Sequence, residues 1–317
     1  MTLSPRTEMT RLAWAVLAIA AAATLPWIAT SYYLAIGVTI AMFTVLATSW
    51  AIFSGPTHYI SLATAAFYGV GTYTTGLLIE TLPYWTILAV AGLIGAVGAA
   101  LVGLATLRLS GVYFVIFTLG LAEFVRQVLT WVQNVAGQKG IYVLTQITEA
   151  QIYWQLLGLA ALVWLAGWLI GRSRLGFALR IIGDDEDVAR HSGINTALAK
   201  VMLFMIPGAA AAMTGAILAP RYVYIEPAVA FSPMLSFQVV IMALLGGTGR
   251  LWGPLVGVIP FTFLWEAISS SFPNQTTLLL GLCFLLIVYL LPRGFVGLFH
   301  DLRHRGSGAA ARAEAGA

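Results

Sequence analysis

Long apolar stretches separated by short polar ones dominate this chain. Many of them approach the ~20 residues that an α-helix needs to cross the hydrocarbon core of a bilayer. We count ten such runs, at residues 12–30, 33–53, 59–80, 84–107, 111–132, 152–170, 198–219, 233–247, 251–271 and 275–292. Small and polar residues interrupt the third run, and the eighth is short enough to be re-entrant. The pattern predicts an all-α, polytopic transmembrane helix bundle of about ten spans with possible re-entrant segments.

Composition supports a membrane protein. Hydrophobic residues make up 60% of the chain and charged residues only 9%, whereas charged residues are about a quarter of an ordinary soluble domain. We therefore expect one membrane domain over residues 1–303. The small, polar tail, residues 304–317, is expected to be disordered.

Basic residues are distributed unevenly between the predicted loops. With ten spans and a cytoplasmic N-terminus, Lys139 and Arg221 lie outside and Arg126 lies within a span. The other thirteen all lie inside: Arg6, Arg11, Arg108, Arg172, Arg174, Arg180, Arg190, Lys200, Arg250, Arg293, Arg303, Arg305 and Arg312. This positive-inside bias predicts that both termini are cytoplasmic. It also accounts for the basic pI of 9.3 without nucleic-acid binding. A cleaved first span would leave this orientation unchanged, so a signal peptide stays an alternative.

A polar island, residues 172–197, interrupts the apolar pattern. Eight of the chain's 28 charged residues fall between Arg172 and Asn195. Asp184 is the predicted N-cap of a short helix, with carboxylates in the first turn and Gly193 in the left-handed C′ position. The segment comprises Asp184, Asp185, Glu186, Asp187, Val188, Ala189, Arg190, His191, Ser192 and Gly193. We expect this capped helix to face a soluble partner.

Two sets of residues within the spans are candidates for a solute pathway. Glu123 lies deep in the fifth run, where a charge costs ~2.5–3.5 kcal/mol, and Arg126 can pair with it at i+3. This pair either fixes helix packing or faces the pathway. In the third run, the hydroxyls of Ser61 and Thr64 and a helix loosened at Gly69 and Gly71 are the other pathway candidates, with helix packing as the alternative for the glycines.

Four motifs in order resemble permeases of branched-chain amino acid ABC importers. They lie in the segments 53–73, 108–123, 173–195 and 245–254. Their order resembles that of the larger, M-type permease. One departure is Pro56-Thr57-His58-Tyr59, where the family more often has Gly-Gln or Gly-Leu and a serine.

The resemblance implies a bacterial inner-membrane subunit that forms half of a translocation pathway for branched-chain or related amino acids. It implies four kinds of partner: a second permease subunit, two ATPase subunits docked on the coupling helix of a cytoplasmic coupling loop at residues 172–197, a periplasmic substrate-binding protein, and membrane lipids. The chain itself would be no enzyme and would hold no cofactor or metal, since Gly246–Arg250 lacks the Lys-Ser/Thr of a phosphate loop. The alternative is an ion-coupled secondary transporter without an ATPase, for which Glu123 is the only mid-depth carboxylate.

Overall fold

The computed structural model describes residues 21–106, 111–137 and 140–290. Thirteen α-helices, two short 3₁₀ turns and one pair of strands occupy these residues. They are α1 (Leu25–Ile28), α2 (Ser31–Thr57), α3 (Thr64–Leu78), α4 (Tyr84–Thr106), α5 (Val112–Val135), β1 (Ile141–Tyr142), α6 (Glu149–Arg172), α7 (Arg174–Asp184), α8 (Glu186–His191), α9 (Thr196–Leu218), a 3₁₀ turn (Ala219–Arg221), β2 (Tyr224–Ile225), α10 (Pro227–Ala230), α11 (Pro233–Gly246), α12 (Gly253–Ser271), a 3₁₀ turn (Pro273–Gln275) and α13 (Thr276–Leu290). Residues 12–20 of the first predicted span, Arg108, Lys139 and the tail 304–317 lie outside the described residues.

Seven of the described segments are long and apolar enough to cross a membrane. They are Ser31–Thr57, Tyr84–Thr106, Val112–Val135, Glu149–Arg172, Thr196–Arg221, Pro227–Gly246 and Gly253–Ser271. The third and tenth predicted runs contain shorter helices, α3 and α13, each of 15 residues. The multi-pass helical bundle is confirmed. The count of ten spans and the re-entrant segments stay predictions.

Helices α2 and α9 form the centre of the bundle. In their most apolar windows 72% and 67% of the residues are buried, against 17% in α5. Helix α9 packs against α2, α3 and α4. Helix α5 has an uncovered outer face, and Phe114, Thr118, Ala122 and Gln133 are its only buried residues.

Glycines allow α3, α4 and α9 to cross at backbone contact. A Cβ on Gly71 would overlap the carbonyl of Ala212, and one on Gly215 would overlap the carbonyl of Tyr68. Helix α3 is continuous through Gly69 and Gly71, so the loosened helix considered for these positions is not seen. Small residues here serve close packing, as they commonly do between membrane helices.

Candidate functional site

Helix α8 is a short helix whose N-terminus is capped by Asp185. The Asp185 carboxylate accepts hydrogen bonds from the backbone N–H groups of Asp187 at 2.9 Å and Val188 at 3.1 Å. The prediction that Asp184 is the N-cap is wrong: Asp184 is the last residue of α7. The extended backbone at Asp185, with φ −158° and ψ 113°, separates the two helices. Capping therefore begins one residue later than the sequence pattern indicated.

The other end of α8 has the predicted glycine cap. Gly193 has a φ of +80°, the left-handed conformation that favours glycine. The Ile194 N–H donates to the Ala189 carbonyl at 3.1 Å, and the Gly193 N–H donates to that of Arg190 at 3.0 Å. This pair of bonds is the Schellman motif. Both ends are thus satisfied locally, which lets a six-residue helix persist at a surface.

The acidic N-cap and the two acidic residues of α8 point in different directions. The side chain of Asp187 is 82% exposed, and that of Glu186 only 23%. Val188 is also exposed, whereas Ala189 is fully buried. Asp185 is committed to the cap. The acidic cluster is therefore no single docking surface, and Asp187 and Val188 mark the outward face.

Glu186 faces the membrane helices and joins three elements. Its carboxylate accepts hydrogen bonds from Lys200 Nζ at 2.8 Å, from Arg190 Nη2 at 2.8 Å and from the Tyr59 hydroxyl at 3.2 Å. Arg190 belongs to α8 itself, Lys200 to the first turns of α9, and Tyr59 to the segment that follows α2. Glu186 therefore ties the short helix to two elements of the bundle.

The Lys200 side chain is only 2% exposed. Its ammonium also donates to the Tyr59 hydroxyl at 3.2 Å and lies 4.6 Å from the centre of the Tyr59 ring. Removing one member of a buried ion pair leaves an uncompensated charge and costs several kcal/mol. In the sequence, Lys200 counted only as a cytoplasmic charge. Its position in an apolar helix, a few residues past the polar island, was the signal that could have marked it.

Opposing effects act on the titration of Glu186. Partial burial is the strongest influence and by itself raises the pKa of this carboxyl. The hydrogen bond and charge of Lys200, together with the hydrogen bonds from Arg190 and Tyr59, outweigh burial and hold the pKa below its usual value. Glu186 is consequently ionised at neutral pH, as the ion pair with Lys200 requires.

The end of α2 contacts the junction of α7 and α8 at a second point. His58 caps α2 in a left-handed conformation with a φ of 58°. Its Nδ1 lies 3.0 Å from the Gly183 carbonyl, to which it donates. A Cβ on Gly183 would overlap the Pro56 carbonyl. The residues that depart from the family pattern, Pro56 to Tyr59, thus form the contact surface beneath the polar island.

Residues 58–63, the interrupted segment, separate α2 from α3 without helical structure. Side chains from neighbouring helices satisfy its backbone. The Trp50 indole donates to the Ser61 carbonyl at 2.7 Å, and the Leu62 N–H donates to the Thr118 hydroxyl at 3.0 Å. Thr118 lies six residues beyond the start of α5, about 9 Å along the helix axis. Irregular backbone at such depth needs these protein partners because lipid offers none.

Ser236 of α11 hydrogen-bonds to two backbone groups at the start of α3. Its hydroxyl donates to the Leu62 carbonyl at 2.8 Å and accepts from the Ala65 N–H at 2.9 Å. The Ser236 side chain is fully buried. The interrupted segment is therefore anchored to α2, α5 and α11 at once, and a displacement of this segment would be felt by all three helices.

The predicted pathway residues are not gathered at one place. Ser61 and Thr64 line a cavity of about 10 Å³ beside Trp50, Phe67 and other apolar side chains. That volume holds about one water molecule and excludes an amino acid. Gly69 lies against the Phe231 ring.

Glu123 and Arg126 lie elsewhere, on the outer face of α5. Arg126 Nε donates to Glu123 Oε2 at 2.8 Å, and Arg126 Nη2 bonds to Oε1. Gln127 Nε2 donates to the same carboxylate at 2.8 Å. The Arg126 side chain is 30% exposed and that of Glu123 43% exposed. The pair therefore faces away from the core of this chain.

Comparison with known proteins decides the family. A family model described as "Branched-chain amino acid transport system / permease component" matches residues 32–291. The chain belongs to this family. It is 27% identical over 291 residues to the high-affinity branched-chain amino acid transport system permease protein LivM of Escherichia coli (strain K12), covering 81% of this chain and 68% of that protein.

Two further relatives show the range of the similarity. The LivM protein of Salmonella typhimurium is 27% identical over 277 residues, which are 76% of this chain and 64% of that protein. The ribose import permease protein RbsC of Haemophilus influenzae is 24% identical over 153 residues, which are 45% of this chain and 47% of that protein. The chain thus spans about two thirds of the length of the LivM relatives. No solved structure matches. The chain is a LivM-like, multi-pass membrane permease component.

Proposed function

We propose that this chain is one permease subunit of a bacterial ABC importer for branched-chain or related amino acids. The observation that carries the proposal is α8, a helix capped at both ends, exposed on one face and held to the bundle on the other. Such a helix suits docking of a soluble ATPase, since a push on its outer face would act on the membrane helices. The LivM relatives favour amino acids because their similarity covers far more of the chain than that of the ribose permease.

The translocation pathway in this proposal lies between two permease subunits. The cavity beside Ser61 and Thr64 is too small for an amino acid, so this conformation offers no route there. Three polar side chains, those of Glu123, Arg126 and Gln127, lie on the outer face of α5. Placing them against a second permease or a wet pathway would cost less free energy than placing them against lipid. A periplasmic binding protein would deliver the solute, and both termini would lie in the cytoplasm of an inner-membrane protein.

Site-directed crosslinking tests the docking. We expect a cysteine at Val188 to crosslink to the ATPase subunit in the assembled transporter. A matched cysteine at Leu77, exposed at the end of α3, should not crosslink to it. Native mass spectrometry should then show two permease and two ATPase subunits per complex. Crosslinking from Leu77 in place of Val188 would refute the docking surface.

A further inference from the structure

A cluster of three side chains joins α8 to the interrupted segment, which lies far from α8 in the sequence. Its members are Tyr59, Glu186 and Lys200. Helix α8 is tethered covalently to α7 and α9, so a push on α8 reaches those two helices through the backbone. It has no such tether to α2 or α3. The hydrogen bond from Tyr59 to Glu186 bridges 127 positions of sequence. The Lys200 ammonium bonds to both partners, at 2.8 Å to Glu186 and 3.2 Å to Tyr59.

Tyr59 is itself a member of the interrupted segment. Its ring packs edge-on against Phe114 of α5, with centroids 5.4 Å apart. Two residues later the Ser61 carbonyl is held by Trp50, and the next residue is held by Thr118 and Ser236. A force applied at the Tyr59 hydroxyl therefore acts on the backbone that leads directly into α3.

We propose that Tyr59 and Lys200 are positioning residues that, through Glu186, transmit displacement of α8 to the interrupted segment and so to the base of α3. The inference rests on the proposed function, because it assumes that an ATPase displaces α8. It adds a second route of transmission, distinct from the tethers to α7 and α9. The Lys200 ammonium makes the link stiff, because a charge that is almost fully buried holds its partners strongly.

The conservative variant Tyr59→Phe isolates this link. It keeps the ring that contacts Lys200 and Phe114 and removes only the hydroxyl shared with Glu186 and Lys200. The matched control is Tyr84→Phe, which removes a half-buried hydroxyl that donates to Gln155 at 3.0 Å between α4 and α6. A third variant, Lys200→Met, removes the buried charge.

The reporter is a cysteine at Ile60, which is 41% exposed and lies in the interrupted segment. Each variant is reconstituted with its ATPase and binding protein, in a background where Cys283 is serine. The rate of thiol labelling at position 60 is measured with and without a non-hydrolysable ATP analogue. Amino acid uptake and ATP hydrolysis are measured on the same preparations.

We expect the analogue to change the labelling rate in the parent and in Tyr84→Phe. In Tyr59→Phe and Lys200→Met the change should disappear and uptake per ATP should fall, because each variant removes a hydrogen bond that joins α8 or α9 to Tyr59. Unaltered labelling responses in both variants would overturn the inference. Loss of assembly in Tyr59→Phe would also overturn it, because the hydroxyl would then serve folding alone. Failure of the parent to couple ATP hydrolysis to uptake would instead refute the proposed function.

Discussion

Neutralising one member of the Glu123–Arg126 pair should damage the protein more than neutralising both. Glu123 lies 11 residues after the first residue of α5 and 12 before the last, so it is about 17 Å from either end of the helix. At that depth an uncompensated charge costs ~2.5–3.5 kcal/mol on the insertion scale. This corresponds to about two orders of magnitude in an equilibrium constant.

Glu123→Gln leaves Arg126 without its carboxylate, and Arg126→Gln leaves Glu123 with only Gln127 as donor. We expect either variant to assemble with its partner subunits in strongly reduced yield. In the double variant neither position is charged, so no uncompensated charge is left and the yield should return close to that of the parent. Yield of intact complex from detergent extracts, by size-exclusion chromatography, measures this difference.

Uptake by the double variant then separates the two roles left open for the pair. Normal uptake with restored yield assigns the pair to helix or subunit packing, whereas lost uptake with restored yield places it in the pathway. The reasoning is refuted if both single variants assemble as well as the parent, because the pair would then be fully hydrated. The same series tests the ion-coupled alternative, in which Glu123→Gln folds normally and loses only its dependence on an ion gradient.

Three further predictions concern orientation, docking and packing. A cysteine replacing Tyr142 in a cysteine-free background should react with an impermeant thiol reagent from the periplasm. A cysteine replacing Arg174 should react only after the membrane is opened. Equal labelling of the two positions in intact cells would contradict the orientation. Asp187→Lys should weaken ATPase binding up to about fivefold, which is the limit for an exposed charge pair. The measurement is retention of the ATPase on the purified permease. Unchanged retention would show that Asp187 does not belong to the docking face. Gly71→Ala should cost about 1–3 kcal/mol through overpacking and lower the midpoint of thermal unfolding. Gly120→Ala should not, because a Cβ added there would meet no atom within 4 Å. Equal midpoints for the two variants would contradict the close crossing.

Periodicity and spacing were sufficient for the main features of the fold. Runs of apolar residues marked each of the seven long helical segments because a bilayer demands a fixed length of apolar helix. The cap at Gly193 was readable since a left-handed residue after a last turn rich in basic side chains favours glycine. The start of the same helix was misplaced by one residue, because Asp184 and Asp185 are equally good caps and only the backbone of the preceding helix decides between them.

Long-range contacts were beyond the reach of the sequence. The contact of Tyr59 with Glu186 and Lys200 depends on how the segment after α2 packs against α8 and α9, and nothing local to Tyr59 indicates it. Charge counting assigned Lys200 to the cytoplasmic basic residues that orient the chain in the membrane and gave it no other role. Likewise Gly71 satisfied the pattern for a loosened helix and for a tight crossing, and only the approach of α9 selects the second.

The energy source of transport tests the central proposal most directly. The chain is reconstituted with a second permease, ATPase subunits and binding protein in proteoliposomes, and uptake of a labelled branched-chain amino acid is followed. We predict uptake that requires ATP on the ATPase side, requires the binding protein, and continues when ionophores collapse proton and sodium gradients. Uptake by this chain alone, driven by an ion gradient and indifferent to ATP, would contradict the account.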